Sequence, residues 1–197
     1  LEATIPSWAH EGGPDSLRAR LGDPDTRVVL KRQVATGVEG WWNIVEASGG
    51  WENIVLVNAR NADNARYEGM SIAAIAEARG GDPIDTAWDL TLAGSGRVMA
   101  IYHMMSEEDI VTALRQPWVS IGSDAGASLS PGTPDILGLP HPRSYGTHPR
   151  VLTRYVRELG VLSLPEAIRR MTSWPAIRMR LTDRGVIREG LRADVVV

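Results

Sequence analysis

The chain has 197 residues, of which 43% are hydrophobic and 23% charged, and this balance is typical of a globular protein with a core. Its formal net charge is −3 and no block of Lys or Arg occurs, so neither nucleic acid nor an anionic membrane is expected as a partner. No apolar run approaches the roughly 20 residues of a membrane span. The chain contains no cysteine, which excludes disulfides and thiolate metal ligands within it.

The first half of the chain predicts helices followed by a buried strand. Asp/Pro pairs at Asp15 and Pro24 are typical of helix starts, so two short helices are expected within residues 14–37. The apolar run Ile54–Val57 then predicts a strand.

The middle of the chain alternates between helical and strand patterns. Helices are predicted from cap signals at Ser71, at Asp82-Pro83 and at the capping box before Glu107, and apolar strands at Val98–Tyr102 and Val119–Gly122. Continuous apolar strands between helices are typical of a covered parallel sheet, either a (β/α) barrel or an open doubly wound sheet. No glycine-rich phosphate loop follows these strands, which weakens the nucleotide-binding alternative.

The C-terminal part begins with a long loop rich in Gly, Pro and Ser, residues 125–146. Loops of this length in compact domains are usually functional or disordered. Three helices are predicted after it, at His148–Glu158, Leu164–Met171 and Pro175–Leu181. A turn-rich segment, "RGVIREGLRADVVV", then leads into a β-like run.

Asp124 is the carboxylate that follows a predicted strand, in "PWVSIGSDAGAS". The other two strand ends present Asn58 with Arg60 and Tyr102 with His103. Because the chemistry of α/β sheets and barrels lies at the carboxyl ends of strands, Asp124 is a candidate catalytic residue. The alternative is that Asp124 only forms a turn or caps a helix.

Several stretches resemble the end of an N-acyl-D-amino acid deacylase (D-aminoacylase), a family in the metal-dependent amidohydrolase superfamily. They are "WVSIGSDAGAS", "HPRSYGTHPRVLTRYVRELGVLSLPEAIRRMTSWPA" and "RGVIREGLRADVVV". "SYGTHPRVL" preceded by "GSD" is fairly specific to the deacylases. The terminal pattern with Gly185, Gly190, Ala193 and Asp194 is shared more widely among amidohydrolases.

The resemblance implies an α/β fold, the C-terminal part of a TIM-like (β/α)8 barrel with the start of a small β-domain. Residues 1–182 are then the barrel portion, and residues 183–197 enter the β-domain. It also implies that Asp124 lies beside a Zn²⁺ ion at the end of the last barrel strand. Zn²⁺ lowers the pKa of its water and polarises the amide carbonyl, and Asp124 takes the proton of the attacking water.

The family's other metal ligands have no counterpart in this sequence. The histidines His10, His103, His141 and His148 show no ligand spacing. A catalytic zinc site needs about three protein ligands. We therefore expect the missing ligands upstream of Leu1, in a longer protein of which this chain is a fragment, and expect the fragment alone to bind metal poorly and to be inactive.

Three further residues are candidates for binding the substrate. Tyr102 and Met105 match positions where the deacylases place a Tyr and a Met near the substrate side chain; the alternative is that both only pack in the core or its rim. Arg143 can bind the carboxylate of an N-acyl amino acid, since guanidinium pairs with carboxylates in bidentate fashion. The alternative for Arg143 is a bond to backbone carbonyls of its loop.

The resemblance implies hydrolysis of the amide of an N-acyl-D-amino acid, which gives a carboxylate and a D-amino acid. The small-molecule substrate is the expected partner, and the expected location is the cytoplasm. Two alternatives remain: a cyclic-amide hydrolase of the dihydroorotase or allantoinase kind, and a non-catalytic chain.

Overall fold

The computed structural model describes residues 1–125 and 141–196 of the chain. These residues fall into two compact units. We call Leu1–Met105 the N-terminal unit, and residues 106–125 together with 141–196 the C-terminal unit. Each unit is described separately.

The N-terminal unit combines α-helices with two strands and four short 3₁₀-helices. Its helices are α1 (Pro14–Gly22), α2 (Pro24–Thr36), α3 (Ile44–Ala47), α4 (Ile72–Arg79) and α5 (Pro83–Ala93). Its strands are β1 (Ile54–Asn58) and β2 (Met99–Tyr102), and the 3₁₀-helices are Glu2–Thr4, Ser7–His10, Trp51–Asn53 and Ala62–Tyr67.

Helices in this unit begin where side-chain caps were predicted. The Ser71 hydroxyl accepts a hydrogen bond from the amide of Ala74 at 3.2 Å, at the start of α4. An Asp82 carboxylate oxygen accepts from the amides of Ile84 and Asp85 at 2.9 and 3.0 Å, at the start of α5. These bonds satisfy amides that have no partner within the helix, so the helix starts follow from local sequence.

Strands β1 and β2 pair antiparallel, with Ile54 opposite Tyr102 and Leu56 opposite Ala100. Both strands were predicted, but the parallel arrangement is wrong for this pair. The physical reason is the connection between them, which holds two α-helices, α4 and α5, rather than one. A Cβ added to Gly94, just after α5, would lie 2.6 Å from the Ala59 carbonyl oxygen. Because α5 ends against the residue that follows β1, the chain enters β2 beside the end of β1.

The core of the N-terminal unit surrounds this strand pair. Most of its completely buried members come from β1 and from the helices on either side: Leu30, Ile54, Leu56, Ile72, Ile75, Ala87, Trp88 and Leu90. Full burial of a large apolar side chain stabilises a fold by roughly 1.5–3 kcal/mol. The spacing of apolar residues along α4 therefore determines which face of this helix covers β1.

The C-terminal unit is helical in its described residues. It contains α6 (Glu107–Leu114), α7 (Arg143–Arg150), a π-helix (Val151–Glu158), α8 (Leu164–Met171) and α9 (Ser173–Arg178). The capping hydroxyls predicted before α6 and α8 are present: Ser106 accepts from Asp109 at 3.3 Å and Ser163 from Glu166 at 3.4 Å. The predicted helix His148–Glu158 is found as the end of α7 and the π-helix.

The third predicted strand, Val119–Gly122, is wrong: this stretch is irregular in the structure. The amide of Ile121 donates to the Arg170 carbonyl oxygen at 3.1 Å, at the end of α8. The Ile121 side chain packs against a core formed by Leu114, Val151, Tyr155, Leu162 and Ala167. The apolar run is thus explained by packing beneath helices, a role that sequence alone does not distinguish from that of a buried strand.

Ion pairs fold the last segment back on itself. The Asp183 carboxylate lies 2.6 Å from Arg192 and 3.0 Å from Arg184, and Arg184 also lies 3.2 Å from Asp194. Residues 183–196 contain no strand. The predicted domain boundary at 182/183 stays a prediction.

Over the described residues, no helix combines the length and apolar character needed to cross a membrane.

Candidate active site

Asp124 and Arg143 form an ion pair in the C-terminal unit. Arg143 Nη1 lies 3.2 Å from Asp124 Oδ2, and the side chain of Asp124 is 90% exposed while that of Arg143 is 44% exposed. Two of the four predicted site residues are therefore neighbours, although the segment 126–140, which lies outside the described residues, separates them in sequence. The carboxylate is open to solvent on one side and faces a fixed cation on the other.

The backbone at Asp124 adopts a left-handed conformation, with φ of 51°. This region is uncommon for residues other than glycine, although Asp tolerates it better than most. The Ser123 hydroxyl accepts a hydrogen bond from the amide of Ala125 at 3.3 Å and closes a small turn around Asp124. The turn predicted as an alternative to catalysis is present, and it presents the carboxylate outward.

Arg143 is the first residue of α7, and the residues before it fix the helix start. The amide of Arg143 donates to His141 Nδ1 at 3.0 Å. His141 thus supplies an acceptor for the first amide of α7, a role the sequence did not suggest. The Arg143 guanidinium binds the Asp124 carboxylate, whereas the alternative interpretation assigned it to backbone carbonyls.

A buried arginine on α8, missed by the sequence analysis, holds the segment that leads to Asp124. Arg170 is 3% exposed, and its Nη1 donates to the carbonyl oxygens of Leu114 and Gln116, both at 2.8 Å. Its Nε donates to Glu166 Oε1 at 2.7 Å. The i,i+4 spacing of Glu166 and Arg170 is compatible with an ordinary ion pair on a helix surface, and it carries no signal of the burial or of the two carbonyl partners.

Glu166 binds two arginines at once. Arg169 donates to it through Nε and Nη2, both at 2.8 Å, in addition to the bond from Arg170. Hydrogen bonds from Arg169 and Arg170 lower the pKa of Glu166 to about 2. The carboxylate therefore stays ionised throughout the pH range in which the protein would work. Arg169 also donates to the Pro117 carbonyl oxygen at 3.1 Å, which ties α8 a third time to the stretch after α6.

Tyr102 and Met105 lie in the N-terminal unit. Tyr102 ends β2 and packs against the core of that unit, and burial raises its pKa to about 12. Its hydroxyl is therefore neutral and remains a donor. Met105 is 78% exposed, so it does not pack in the core, and packing at the rim stays the alternative for it. The grouping of these two residues with Asp124 and Arg143 stays a prediction.

The described residues do not provide a metal site. Among residues 1–125 and 141–196, no three or more His, Cys, Asp or Glu side chains are grouped so that they could hold a metal ion. Asp124 can supply one oxygen donor, and its neighbour Arg143 is a cation that would repel a metal bound by Asp124 alone. A metal at Asp124 would need donors from elsewhere.

The chain is similar to deacylases of known sequence. It is 40% identical over 129 residues to the N-acyl-D-glutamate deacylase of Alcaligenes xylosoxydans xylosoxydans, a match that covers 66% of this chain and 24% of that protein. It is 39% identical over 129 residues to the D-aminoacylase of the same organism, again over 24% of that protein. The chain thus spans about a quarter of the length of these relatives.

A solved structure of a related deacylase matches a larger part of the chain. It is the zinc- and phosphonate-bound N-acyl-D-glutamate deacylase of Bordetella bronchiseptica, with a TM-score of 0.60 and 25% identity over 94% of this chain and 43% of that one. A profile of the amidohydrolase family matches residues 6–197. The chain therefore belongs to the amidohydrolase family.

Proposed function

We propose that this chain is part of a metal-dependent enzyme that hydrolyses N-acyl-D-amino acids to a carboxylate and a D-amino acid. The observation that carries the proposal is the exposed Asp124 carboxylate, 3.2 Å from the Arg143 guanidinium, in a chain similar to N-acyl-D-glutamate deacylase and D-aminoacylase. The reaction needs a base for water and a cation for the carboxylate of the substrate. Asp124 and Arg143 are of these two types.

In this proposal Asp124 acts as general base and general acid in turn. It accepts a proton from the water that attacks the amide carbonyl, and then gives that proton to the nitrogen as the C–N bond breaks. The amino acid leaves as a free amine, and the acyl group leaves as a carboxylate. The high exposure of Asp124 leaves room for both water and substrate beside it.

Arg143 would bind the α-carboxylate of the substrate. A guanidinium has five N–H donors, so it can keep a hydrogen bond to Asp124 and still donate to an incoming carboxylate. Tyr102 and Met105 would contact the substrate side chain. The neutral Tyr102 hydroxyl is suited to donate a hydrogen bond, and the exposed Met105 to make apolar contact.

The metal in this proposal is zinc, with Asp124 as one donor. It is supported by relatives whose structures are described as having a binuclear metal centre and as complexed with zinc. A bound Zn²⁺ would polarise the amide carbonyl and lower the pKa of water. The remaining donors would come from the part of the relatives that this chain does not match. We call the polypeptide that combines this chain with those donors the complete enzyme.

We also propose that residues 1–182 belong to a TIM-like barrel and that residues 183–197 enter a small β-domain. The support is the likeness to deacylase structures, with TM-scores of 0.56 and 0.60. The antiparallel pair β1–β2 is not an arrangement of barrel strands, so the proposal does not rest on it.

The test compares substrates and polypeptides. The complete enzyme, loaded with zinc, should hydrolyse N-acetyl-D-glutamate, N-acetyl-D-aspartate or N-acetyl-D-leucine faster than the L-enantiomers, and should leave dihydroorotate intact. This chain alone should retain no zinc after dialysis and show no turnover. Hydrolysis of dihydroorotate in place of the acylated amino acids would replace the proposal by a cyclic-amide hydrolase, and inactivity on both classes would support a non-catalytic chain.

A further inference from the structure

We propose that Arg170 is a positioning residue that sets the place of the Asp124 carboxylate. The inference rests on the proposed function, because it assigns Arg170 a part in catalysis that acts through Asp124. It is carried by contacts within the C-terminal unit alone. Arg170 neither touches Asp124 in the described structure nor needs to touch the substrate.

The burial of Arg170 requires an explanation. A guanidinium is always charged, and a charged group this well buried costs free energy unless it is paired and hydrogen-bonded. Arg170 meets the requirement with Glu166 and two backbone carbonyls at 2.7–2.8 Å. Both carbonyls belong to the end of α6 and the residues that follow it, where helix carbonyls lack partners within the helix. The fork of Arg170 therefore clamps the end of α6 to α8.

The same residue also holds the chain downstream of α6. The Arg170 carbonyl oxygen accepts from the amide of Ile121 at 3.1 Å, three residues before Asp124. Arg170 thus fixes the segment at Leu114 and Gln116 with its side chain and at Ile121 with its backbone. The irregular stretch between α6 and Asp124 is not paired with a strand, so these hydrogen bonds to α8 hold it in place.

Asp124 is then held from two sides. Upstream, the Arg170 carbonyl oxygen on α8 accepts from the amide of Ile121. Downstream, Arg143 binds the Asp124 carboxylate itself. The left-handed backbone at Asp124 turns the chain directly after the clamp. Because so few residues separate the clamp from the carboxylate, a shift of the clamp would move the carboxylate by a similar amount.

The test is a double-mutant cycle in the complete enzyme with Asp124→Asn and Arg170→Lys. Lysine keeps the charge but cannot bond to Glu166 and both carbonyls in one fixed fork. A displacement of about 1 Å can cost roughly a hundredfold in rate, so R170K should lower kcat by roughly that factor at little change in KM. The exposed Arg157 on the π-helix supplies the matched control, R157K, which should leave kcat unchanged.

The cycle separates positioning from general damage. If Arg170 acts through Asp124, the double variant D124N/R170K should be no slower than D124N, because the displaced group is already disabled. If R170K lowers kcat in the D124N background by the same factor as in the wild type, the inference is overturned and Arg170 has a general structural role. A D124N variant as active as the wild type would instead overturn the proposed function.

Hydrogen exchange gives a readout that does not depend on activity. R170K keeps the backbone carbonyl that accepts from Ile121 but loses the side-chain bonds to Leu114 and Gln116. The amide of Ile121 should therefore exchange faster than in the wild type, by more than the change in the free energy of global unfolding accounts for, whereas R157K should leave its exchange unchanged. Unaltered exchange at Ile121 together with wild-type kcat in R170K would reject the inference. If R170K unfolds at the assay temperature, Glu166→Gln serves instead, since it leaves Arg170 in place but removes its carboxylate partner.

Discussion

Arg143 pairs with Asp124 across an Nη1–Oδ2 distance of 3.2 Å, and the pair joins the start of α7 to the turn that follows Ile121. Both side chains keep substantial exposure, so the pair contributes little to stability, typically about 0–1 kcal/mol for such contacts. An acid and a cation held side by side at the surface with little effect on stability are suited to catalysis.

Replacing Asp124 by Asn should abolish most of the activity and leave the fold intact. The amide cannot accept the proton of water, and general acid–base catalysis typically contributes about 10²–10⁴-fold, so kcat of the complete enzyme should fall by about that factor. Because the side chain is 90% exposed, the thermal melting curve should barely change. Steady-state kinetics and circular dichroism measure the two effects, and a wild-type kcat in D124N would remove Asp124 from the mechanism.

Replacing Arg143 by Gln should raise KM and also lower kcat, because Arg143 is proposed to bind the substrate carboxylate and also holds the Asp124 carboxylate in place. The guanidinium is proposed to bind the α-carboxylate, and a lost charged hydrogen bond costs about 1.5–3 kcal/mol, which corresponds to roughly a 10- to 150-fold increase in KM. The KM of Arg143→Lys should lie between those of the wild type and Arg143→Gln, since lysine retains the charge but cannot form two parallel hydrogen bonds to a carboxylate. An equal loss for an N-acyl amine that lacks the carboxylate would contradict this role.

The Glu166 cluster predicts how stability depends on pH. The pKa of Glu166 falls from 4.5 to about 2 in the fold because Arg169 and Arg170 donate to it. A carboxylate with a depressed pKa stabilises the fold fully above its unfolded value, and this contribution is lost as the pH falls from about 4.5 towards 2.

The comparison of wild type with E166Q isolates this contribution. The difference in their free energies of unfolding, measured by urea titration, should be largest above pH 5 and shrink steadily at lower pH. A difference that is independent of pH would show that the carboxylate charge does not stabilise the C-terminal unit. Arg157→Gln, which removes a charge from an exposed position of the same unit, controls for general effects of charge.

Gly185 should be the more sensitive of the two glycines in the terminal motif. Both Gly185 and Gly190 have positive φ, 93° and 81°. A Cβ at Gly185 would lie 2.6 Å from the Ala176 Cβ, whereas nothing lies within 4 Å of one at Gly190. G185A should therefore lower the free energy of unfolding by about 1–3 kcal/mol more than G190A. Both variants strain the backbone, but only G185A also forces a side chain into a filled space. Urea unfolding of the two variants measures the difference, and equal losses would exclude the close contact.

Helix starts and the identity of the candidate site residues followed from sequence because they depend on local chemistry. Ser71, Asp82, Ser106 and Ser163 cap helices with side chains that reach amides two or three residues away. The strands around Ile54 and Ile101 were located by apolar runs within a residue of their observed bounds. Asp124 and Arg143 were chosen from residue type and from the resemblance to the deacylases.

The pairing of β1 with β2 and the contacts that hold the segment before Asp124 were decided by tertiary structure, because they depend on residues distant in sequence. The antiparallel sense of β1 and β2 follows from where α5 ends, which periodicity does not encode. The run Val119–Gly122 has the pattern of a strand, but a strand forms only where another strand supplies hydrogen-bond partners, and here the end of α8 bonds Ile121 instead. The role of Arg170 needs the carbonyls of α6 beside it, and only packing brings them within reach.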